Sequence, residues 1–308
     1  MKVSLITTVK DAELAVEPFL ASVRAQSRAP DEVVVVDGGS ADGTVAALRR
    51  HPDLVLVEEH RANIAMGRNV AIKTAVHDVI AATDGDCILH PEWLARVVAP
   101  VEDGAAVGMG FTRPAPRSFL EACVAAAHLP DAGEVDPAHF MPSARSVAFR
   151  RSAIEAVGGY PEWLDIGEDM WVDHRWRELG LDMRFVPDAV VYWHPRPDLA
   201  GLWRQFAGYA EGDARAGMYP GRHLIRAGAY AAGALAWASG RPGARAVVAA
   251  AGLWYARRPL RRAWRRLAGR PRERAAALAA VPAVMAVSDA AKLWGYVRGL
   301  TAPIRPRR

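Results

Sequence analysis

Two aspartates separated by one glycine, Asp84-Gly85-Asp86, follow the apolar segment DVIAAT at residues 78–83. Two carboxylates this close can hold a hard divalent cation through oxygen, and such an ion keeps coordination positions open for substrate phosphates. Gly85 permits a tight turn and the close approach of a ligand. Because the same tripeptide also occurs in ordinary turns, a metal site and a plain turn both fit it.

A second acidic pair, Glu168-Asp169, follows Gly167 at the start of a predicted helix. A carboxylate in this position can act as a general base that takes the proton of an attacking hydroxyl. Acidic residues are also favoured in the first turn of any helix by the helix macrodipole. The pair therefore has a catalytic and a purely structural interpretation, and its sequence alone leaves both open.

Three further side chains have the chemistry to bind a phosphorylated ligand or a metal ion. Asp37 can accept hydrogen bonds from a nucleobase or a ribose, or simply form the glycine-containing turn that follows it. Arg68 can donate two hydrogen bonds to a phosphate, or lie on an exposed helix face. His194 can be a neutral imidazole ligand of a metal, or a structural histidine among aromatic residues.

These candidates follow a regular alternation of β-rich and helical segments. The predicted strands are residues 3–9, 32–36, 54–57, 78–83, 104–112, 145–149 and 183–192, and the predicted helices are residues 12–26, 65–77, 152–157 and 168–177. The alternation predicts a largely parallel α/β sheet. Ligands of such sheets bind beyond the carboxyl ends of the strands, and Asp37, Asp84 and Asp86 all follow strand ends.

Charge is distributed unevenly along the 308 residues, whose net charge is +5. Residues 1–200 hold 19 Lys and Arg against 30 Asp and Glu, whereas residues 201–308 hold 20 against 4. The basic tail suits phosphates, either of nucleic acid or of anionic lipid. The two cysteines, Cys87 and Cys123, exclude a disulfide framework and favour a reducing compartment. The apolar opening stretch is too short for a signal peptide.

The tail contains three Ala-rich apolar stretches, at residues 227–239, 246–256 and 275–287, with an arginine run at residues 257–274. Each stretch is shorter than the ~20 residues that a spanning helix needs. Arginine-flanked helices that lie in the membrane interface fit this composition, and the tryptophans fit the headgroup zone. A soluble helical subdomain is the alternative. A nucleic-acid-binding tail would be more polar, so lipid is the expected partner and nucleic acid is not.

The order of the segments resembles glycosyltransferase family 2, which has the GT-A fold. The matching segments are residues 4–8, 33–44 (VVVVDGGSADGT), 65–71 (AMGRNVA), 82–86 (ATDGD), 157–160 (VGGY) and 167–169 (GED). The resemblance extends over residues 1–210. It implies a Rossmann-like, mixed and mainly parallel sheet, a nucleotide-sugar donor, a divalent cofactor (manganese or magnesium) and an inverting displacement by the acceptor hydroxyl.

The resemblance also implies roles for single residues. Asp37 would contact the nucleotide base, and Asp84 and Asp86 would form the family's Asp-any-Asp motif, with Asp86 as the main metal ligand. Asp169 would be the catalytic base, with Glu168 beside it. His194 would be a further metal or diphosphate ligand. Thr8, Arg68 and Asp84 are expected at the donor.

The opening strand departs from the family pattern at one point. Relatives usually continue with Tyr-Asn, and here the chain continues with Val9-Lys10. Lys10 is therefore expected either to contact a donor phosphate or to be an exposed side chain.

The sequence thus predicts a GT-A glycosyltransferase domain at residues 1–215 and a basic, membrane-associated helical tail at residues 216–308. The predicted enzyme transfers a sugar to a lipid-linked or polysaccharide acceptor at the cytoplasmic face of the cell membrane. The alternatives are a nucleotidyltransferase, which would want a glycine-rich loop after the first strand, and a degenerate transferase that only binds nucleotide. Residues 7–11 contain no glycine, which disfavours the nucleotidyltransferase.

Overall fold

A computed structural model describes residues 1–301 of the chain. These residues form two compact units. The sheet unit consists of residues 1–115 and 132–194, and the helical unit of residues 116–131 and 195–301. The predicted domain boundary at residue 215 falls at the end of a helix that belongs to the helical unit. The last seven residues of the predicted tail lie outside the described residues.

The sheet unit is built on one eight-stranded sheet. Its strands are β1 (Val3–Val9), β2 (Glu32–Asp37), β3 (Val55–Glu58), β4 (Val79–Ala82), β5 (Ile88–Leu89), β6 (Val107–Pro114), β7 (Val147–Arg150) and β8 (Met183–Trp193). Their order across the sheet is β3-β2-β1-β4-β7-β6-β8-β5. Strands β1 to β4 pair in parallel, and β7 lies antiparallel to both β4 and β6. The prediction of a mixed, mainly parallel α/β sheet is confirmed.

The central strands are apolar along their whole length because helices cover both faces of a parallel sheet. Val34, Val35 and Val36 of β2 have no exposed surface, and the same is true of Val79 and Ile80 in β4. Helices of this unit are α1 (Glu13–Arg24), α2 (Thr44–Leu48), α3 (Ile64–Thr74), α4 (Trp93–Glu102), α6 (Arg151–Glu155) and α7 (Glu168–Glu178). The sequence prediction missed β5 and α4.

The helical unit consists of α5 (Phe119–His128), α8 (Leu199–Arg215), α9 (Pro220–Ala238), α10 (Pro242–Arg266) and α11 (Pro271–Thr301). Helices α8 and α11 pack closely because two glycines of α11 have no side chain. A Cβ atom added to Gly295 would lie 2.0 Å from the carbonyl oxygen of Ala207, and one added to Gly299 would lie 2.5 Å from that of Glu211.

The structure corrects the prediction of three short apolar stretches in the tail. Residues 246–256 and the first arginines of the run form one helix, α10, because arginine and alanine are both strong helix formers. The stretch at residues 275–287 continues through Thr301, so that α11 has 31 residues. By length and composition alone, α11 is the one helix of the described residues that can cross a membrane. The core helix of a soluble protein passes the same test.

Candidate functional site

The carboxyl ends of three neighbouring strands bring several of the predicted site residues to one edge of the sheet. Val9 of β1 is in register with Asp37 of β2, and Ile6 of β1 is in register with Ala82 of β4. The chain leaves β4 directly into Asp84-Gly85-Asp86. Because the three strands are parallel, their ends meet at the edge where α/β sheets bind ligands.

Two glycines allow this edge to pack tightly around β1. A Cβ atom added to Gly85 would lie 2.4 Å from the Val9 side chain, and one added to Gly67 would lie 2.9 Å from Cγ2 of Thr8. A larger residue at either position would push the backbone away from β1. Thr8 therefore lies next to the first turn of α3, and the turn after β4 lies on Val9.

Arg68 links the end of β4 to the start of α7. Its guanidinium donates to Oδ1 of Asp84 at 2.8 Å through one terminal nitrogen, and to Oε1 of Glu168 through the other. Its charged end also lies 5.4 Å from the centre of the Tyr160 ring. The side chain is 4% exposed. It can reach a donor phosphate only if one of these two ion pairs opens.

The pair Glu168-Asp169 begins α7 directly after Gly167, whose φ of 88° is a left-handed conformation that glycine adopts without strain. Asp169 accepts hydrogen bonds from the backbone N–H groups of Ala144 at 3.3 Å and Met170 at 2.8 Å. Burial raises the pKa of the Glu168 carboxyl to about 7, while the charge of Arg68 acts in the opposite direction. Asp169 is thus fixed in position beside a largely buried carboxyl.

The second carboxylate oxygen of Asp84 faces Arg145, a residue that the sequence analysis did not single out. Arg145 Nε lies 3.3 Å from Asp84 Oδ2, and its guanidinium lies 4.7 Å from the centre of the Trp193 ring. Trp193 in turn donates from Nε1 to Oδ2 of Asp86 at 3.2 Å. These contacts connect both aspartates of the turn after β4 to the end of β8.

His194 follows Trp193 at the end of β8. Its Nδ1 lies 2.5 Å from the carbonyl oxygen of Ala115, so Nδ1 carries the proton of this hydrogen bond. In the neutral ring, the lone pair is then on Nε2. A backbone carbonyl that fixes the tautomer in this way is typical of metal-binding histidines, although it is equally compatible with a structural role.

Asp37 organises the loop that follows β2. Its Oδ2 accepts from the backbone N–H groups of Gly39 and Ser40 at 3.0 Å each, and its Oδ1 accepts from the Ser40 hydroxyl at 2.5 Å. The residue is 1% exposed. Lys10, one residue beyond the Val9 that pairs with Asp37, is exposed.

The carboxylates fit a divalent ion that takes most of its ligands from the substrate. Within residues 1–301, no three His, Cys, Asp or Glu side chains are grouped closely enough to hold a metal by themselves. Asp86 is exposed at the tip of the turn, and Asp84 is engaged by two arginines. One or two carboxylates, completed by waters and substrate phosphates, is the usual environment of Mg²⁺.

The structure thus connects five of the predicted site residues through direct contacts and chain neighbours. Arg68 joins Asp84 to Glu168, and Trp193 joins Asp86 to the strand that carries His194. The sequence analysis missed Arg145 and Trp193. Trp193 had a local signal, since it precedes His194 at a predicted strand end, whereas Arg145 had none.

Comparison with known proteins gives the same picture. The model of the family "Glycosyl transferase family 2" matches residues 4–122. The chain is 26% identical over 215 residues to glycosyltransferase AglE of Haloferax volcanii, which covers 66% of this chain and 70% of that protein. It is 27% identical over 205 residues to the succinoglycan biosynthesis protein ExoA of Rhizobium meliloti, covering 59% and 60% of the two chains.

The fold is similar to that of a solved structure, the mannosyltransferase PcManGT from Pyrobaculum calidifontis in complex with GDP-Man and Mn²⁺. The TM-score is 0.65 at 24% identity, and the match covers 95% of this chain and 87% of the other. At this identity the likeness concerns the fold, which is that of GT-A enzymes.

Proposed function

Because this chain is a family 2 glycosyltransferase with the GT-A fold, we propose that it transfers a sugar from a nucleoside-diphosphate sugar to a lipid-linked or cell-envelope glycan. The observation that supports this most is the junction at the sheet edge, where Arg68 bonds to both Asp84 and Glu168. It joins the segment proposed to bind the donor to the segment proposed to activate the acceptor. Names of relatives support the glycan, since ExoA acts in succinoglycan biosynthesis.

On the donor side, Asp37 and the loop it organises hold the nucleotide base, and Thr8 and Lys10 line the same edge. Asp86 is the main ligand of a manganese or magnesium ion, with Asp84 beside it and His194 as a further contact through Nε2. This ion, when bound, balances the negative charge that develops on the departing nucleoside diphosphate. The Mn²⁺ and GDP-Man of the mannosyltransferase with the similar fold support this assignment.

On the acceptor side, Asp169 takes the proton of the attacking hydroxyl. The hydroxyl oxygen forms a bond to the anomeric carbon while the bond from that carbon to the diphosphate oxygen breaks, so the configuration inverts. The two backbone N–H groups that bond to Asp169 hold its carboxylate in a fixed orientation. Glu168, engaged by Arg68, fixes the start of the helix that carries this base.

Arg68 acts mainly as a positioning residue in this proposal. Its two ends are occupied by carboxylates in the structure, so its predicted contact with phosphate requires a rearrangement when the donor binds. Arg145 is the better placed cation, because it lies beside Asp84 and on the Trp193 ring at the sheet edge.

The tail places the enzyme at the cytoplasmic face of the cell membrane in this proposal. Helices α10 and α11 carry arginines together with exposed Leu253, Trp254, Trp264 and Trp294, a composition that suits an anionic membrane surface. Membrane association of residues 216–301 and a lipid-linked acceptor support one another, because a lipid-linked glycan is available only there.

The test is an assay of the purified full chain with a panel of nucleotide sugars, manganese or magnesium, and detection of the released nucleoside diphosphate. Release with one donor that depends on an added glycan lipid is the expected result. Release of inorganic pyrophosphate from a nucleoside triphosphate instead would favour a nucleotidyltransferase. Donor binding without any turnover on envelope lipids would favour a degenerate transferase.

A further inference from the structure

A basic cavity of about 470 Å³ lies within the helical unit, between α5, α10 and α11. Four cationic side chains line it, namely Arg257, Arg258, Arg262 and Lys292. None of the described residues that line it is acidic. Four positive charges around one cavity repel one another unless an anion is present, so their arrangement needs an explanation.

The nearest acid has its charge shared among other groups. Asp289 lies 3.6 Å from Lys292 Nζ, but it also accepts from Arg226 at 3.1 Å and from the hydroxyl of Tyr255 at 2.8 Å. It is 1% exposed. Asp289 therefore balances the charge of Lys292 only in part and leaves the three arginines of α10 unbalanced.

A buried polar atom at the cavity lacks a partner. Among the described residues, Nε2 of His128 has no hydrogen-bond partner although it is buried. Burial, together with the charges of Lys292 and Arg262, lowers the pKa of His128 to about 3, so the ring is neutral at physiological pH. A neutral imidazole can donate one hydrogen bond to an anionic oxygen, and buried polar groups in native proteins are nearly always satisfied.

The wall of the cavity is apolar and aromatic on one side. The Arg257 guanidinium lies 3.7 Å from the centre of the Trp254 ring, and Met285 also lines the cavity. Trp254 is 66% exposed, and Leu253 beside it is 68% exposed. Apolar side chains that face water next to a cationic cavity suit a ligand with an anionic head and an apolar chain.

We propose that this cavity binds the phosphate or diphosphate head of a lipid, with Arg258, Arg262 and Lys292 facing the phosphate oxygens and Trp254 contacting the apolar chain. The head group can belong to a lipid-linked acceptor or to a phospholipid of the membrane, which present the same phosphate chemistry. Only the identification of the lipid as the acceptor rests on the proposed function.

The test is calorimetric binding to the purified full chain without donor or metal, with three probes. Farnesyl diphosphate represents an isoprenoid lipid, short-chain phosphatidic acid represents a phospholipid, and inorganic pyrophosphate represents the head group alone. We expect at least one lipid to bind about tenfold or more tightly than pyrophosphate, because burial of two CH₂ groups already gives such a factor. Which lipid binds more tightly distinguishes the two sources. Equal affinity for pyrophosphate and both lipids would overturn the proposal.

Charge-matched variants locate the site. Arg258→Gln and Arg258→Gln/Lys292→Gln remove charges that line the cavity, whereas Arg261→Gln/Arg272→Gln removes two exposed arginines outside it. Each lost charged hydrogen bond is expected to weaken lipid binding about tenfold, and the control double variant is expected to bind as the unaltered chain does. Equal binding by the cavity variants and the control would overturn the assignment. Circular dichroism checks that Arg258→Gln, an exposed position, remains folded.

The result is independent of catalysis. Lipid binding that depends on Arg258, in a protein that transfers no sugar, would refute the proposed function and leave the cavity assignment intact. Transfer to a lipid-linked acceptor without lipid binding at the cavity would do the opposite.

Discussion

Arg68 and Asp84 form an ion pair 2.8 Å long whose side chains are 5% and 21% exposed. The pair joins α3 to the turn after β4, and the other end of the same guanidinium bonds to Glu168 at the start of α7. One cation thus holds together two acidic segments that are 84 residues apart in the chain. Without it, Asp84 and Glu168 would repel each other at this short range.

Removal of the cation should destabilise the sheet unit. Arg68→Met leaves two carboxylates without their partner, and breaking a buried pair on one side typically costs about 3–5 kcal/mol. Urea unfolding measures the loss, and Lys73→Met, an exposed position on the same helix, is the control. Adding Glu168→Gln to Arg68→Met should restore part of the stability. A double variant that is no more stable than Arg68→Met would argue against a strong coupling between the two side chains.

Replacement of the proposed base should affect turnover and leave donor affinity unchanged. Asp169→Asn keeps the shape of the side chain and its place beside Ala144, but the amide cannot take a proton. Loss of a general base typically lowers the rate about 10²–10⁴-fold. Steady-state release of nucleoside diphosphate measures kcat, and calorimetry measures donor binding. Glu178→Gln, an exposed acid on the same helix, is the control. Unchanged turnover in Asp169→Asn would remove this residue from the base role.

Loss of the exposed carboxylate of the turn should abolish the metal dependence of donor binding. In Asp86→Asn, the affinity for a nucleoside diphosphate in the presence of Mn²⁺ or Mg²⁺ should fall by more than the roughly 10–100-fold that an outer-shell change causes. The affinity without metal should stay the same, which calorimetry can measure in parallel. Asp188→Asn, an exposed acid of β8, controls for the charge change. Equal metal-dependent affinity in both variants would exclude Asp86 as a ligand.

The buried histidine of the cavity should make the helical unit sensitive to acid. The pKa of His128 is about 3 in the folded chain, against an ordinary value of 6.5. Below pH 6.5 the unfolded chain takes up a proton that the folded chain does not, so stability falls as the pH falls from about 6.5 towards 3, by up to about 1.4 kcal/mol per pH unit. Melting temperatures at pH 7 and pH 5 should therefore differ less in His128→Gln than in the unaltered chain. His60→Gln, at an exposed position, should retain the full difference, and a full difference in His128→Gln as well would contradict the assignment.

Two glycines in the helices of this unit should respond to alanine in opposite directions. Gly252 of α10 has open space around it, so Gly252→Ala should stabilise the helix by about 1 kcal/mol through its better helix propensity. Gly295→Ala should destabilise the protein because the added methyl group collides with the Ala207 backbone. Thermal unfolding of the two variants gives the comparison. A gain in stability in both would mean that α8 and α11 separate at little cost.

Local signals explain what the sequence could predict. The β-branched runs of β1 and β2 indicate buried parallel strands without further information, and Asp37 and Asp84 follow from their places at strand ends. Arg145 could not be predicted, because its contact with Asp84 depends on the insertion of antiparallel β7 between β4 and β6. The ion pairs of Arg68 were missed for the same reason, since a surface interpretation of its helix face is correct for most arginines.

The chain passes between its two units three times, after residues 115, 131 and 194. Helix α5, which the middle passages enclose, buries Cys123, Val124 and Ala126 in the core that α10 and α11 complete. A truncated chain that stops before α8 would retain α5 with this apolar face uncovered. The glycosyltransferase sheet therefore cannot be obtained as a soluble fragment by simple removal of the tail, and a fragment for expression would need residues 116–131 replaced by a short polar linker.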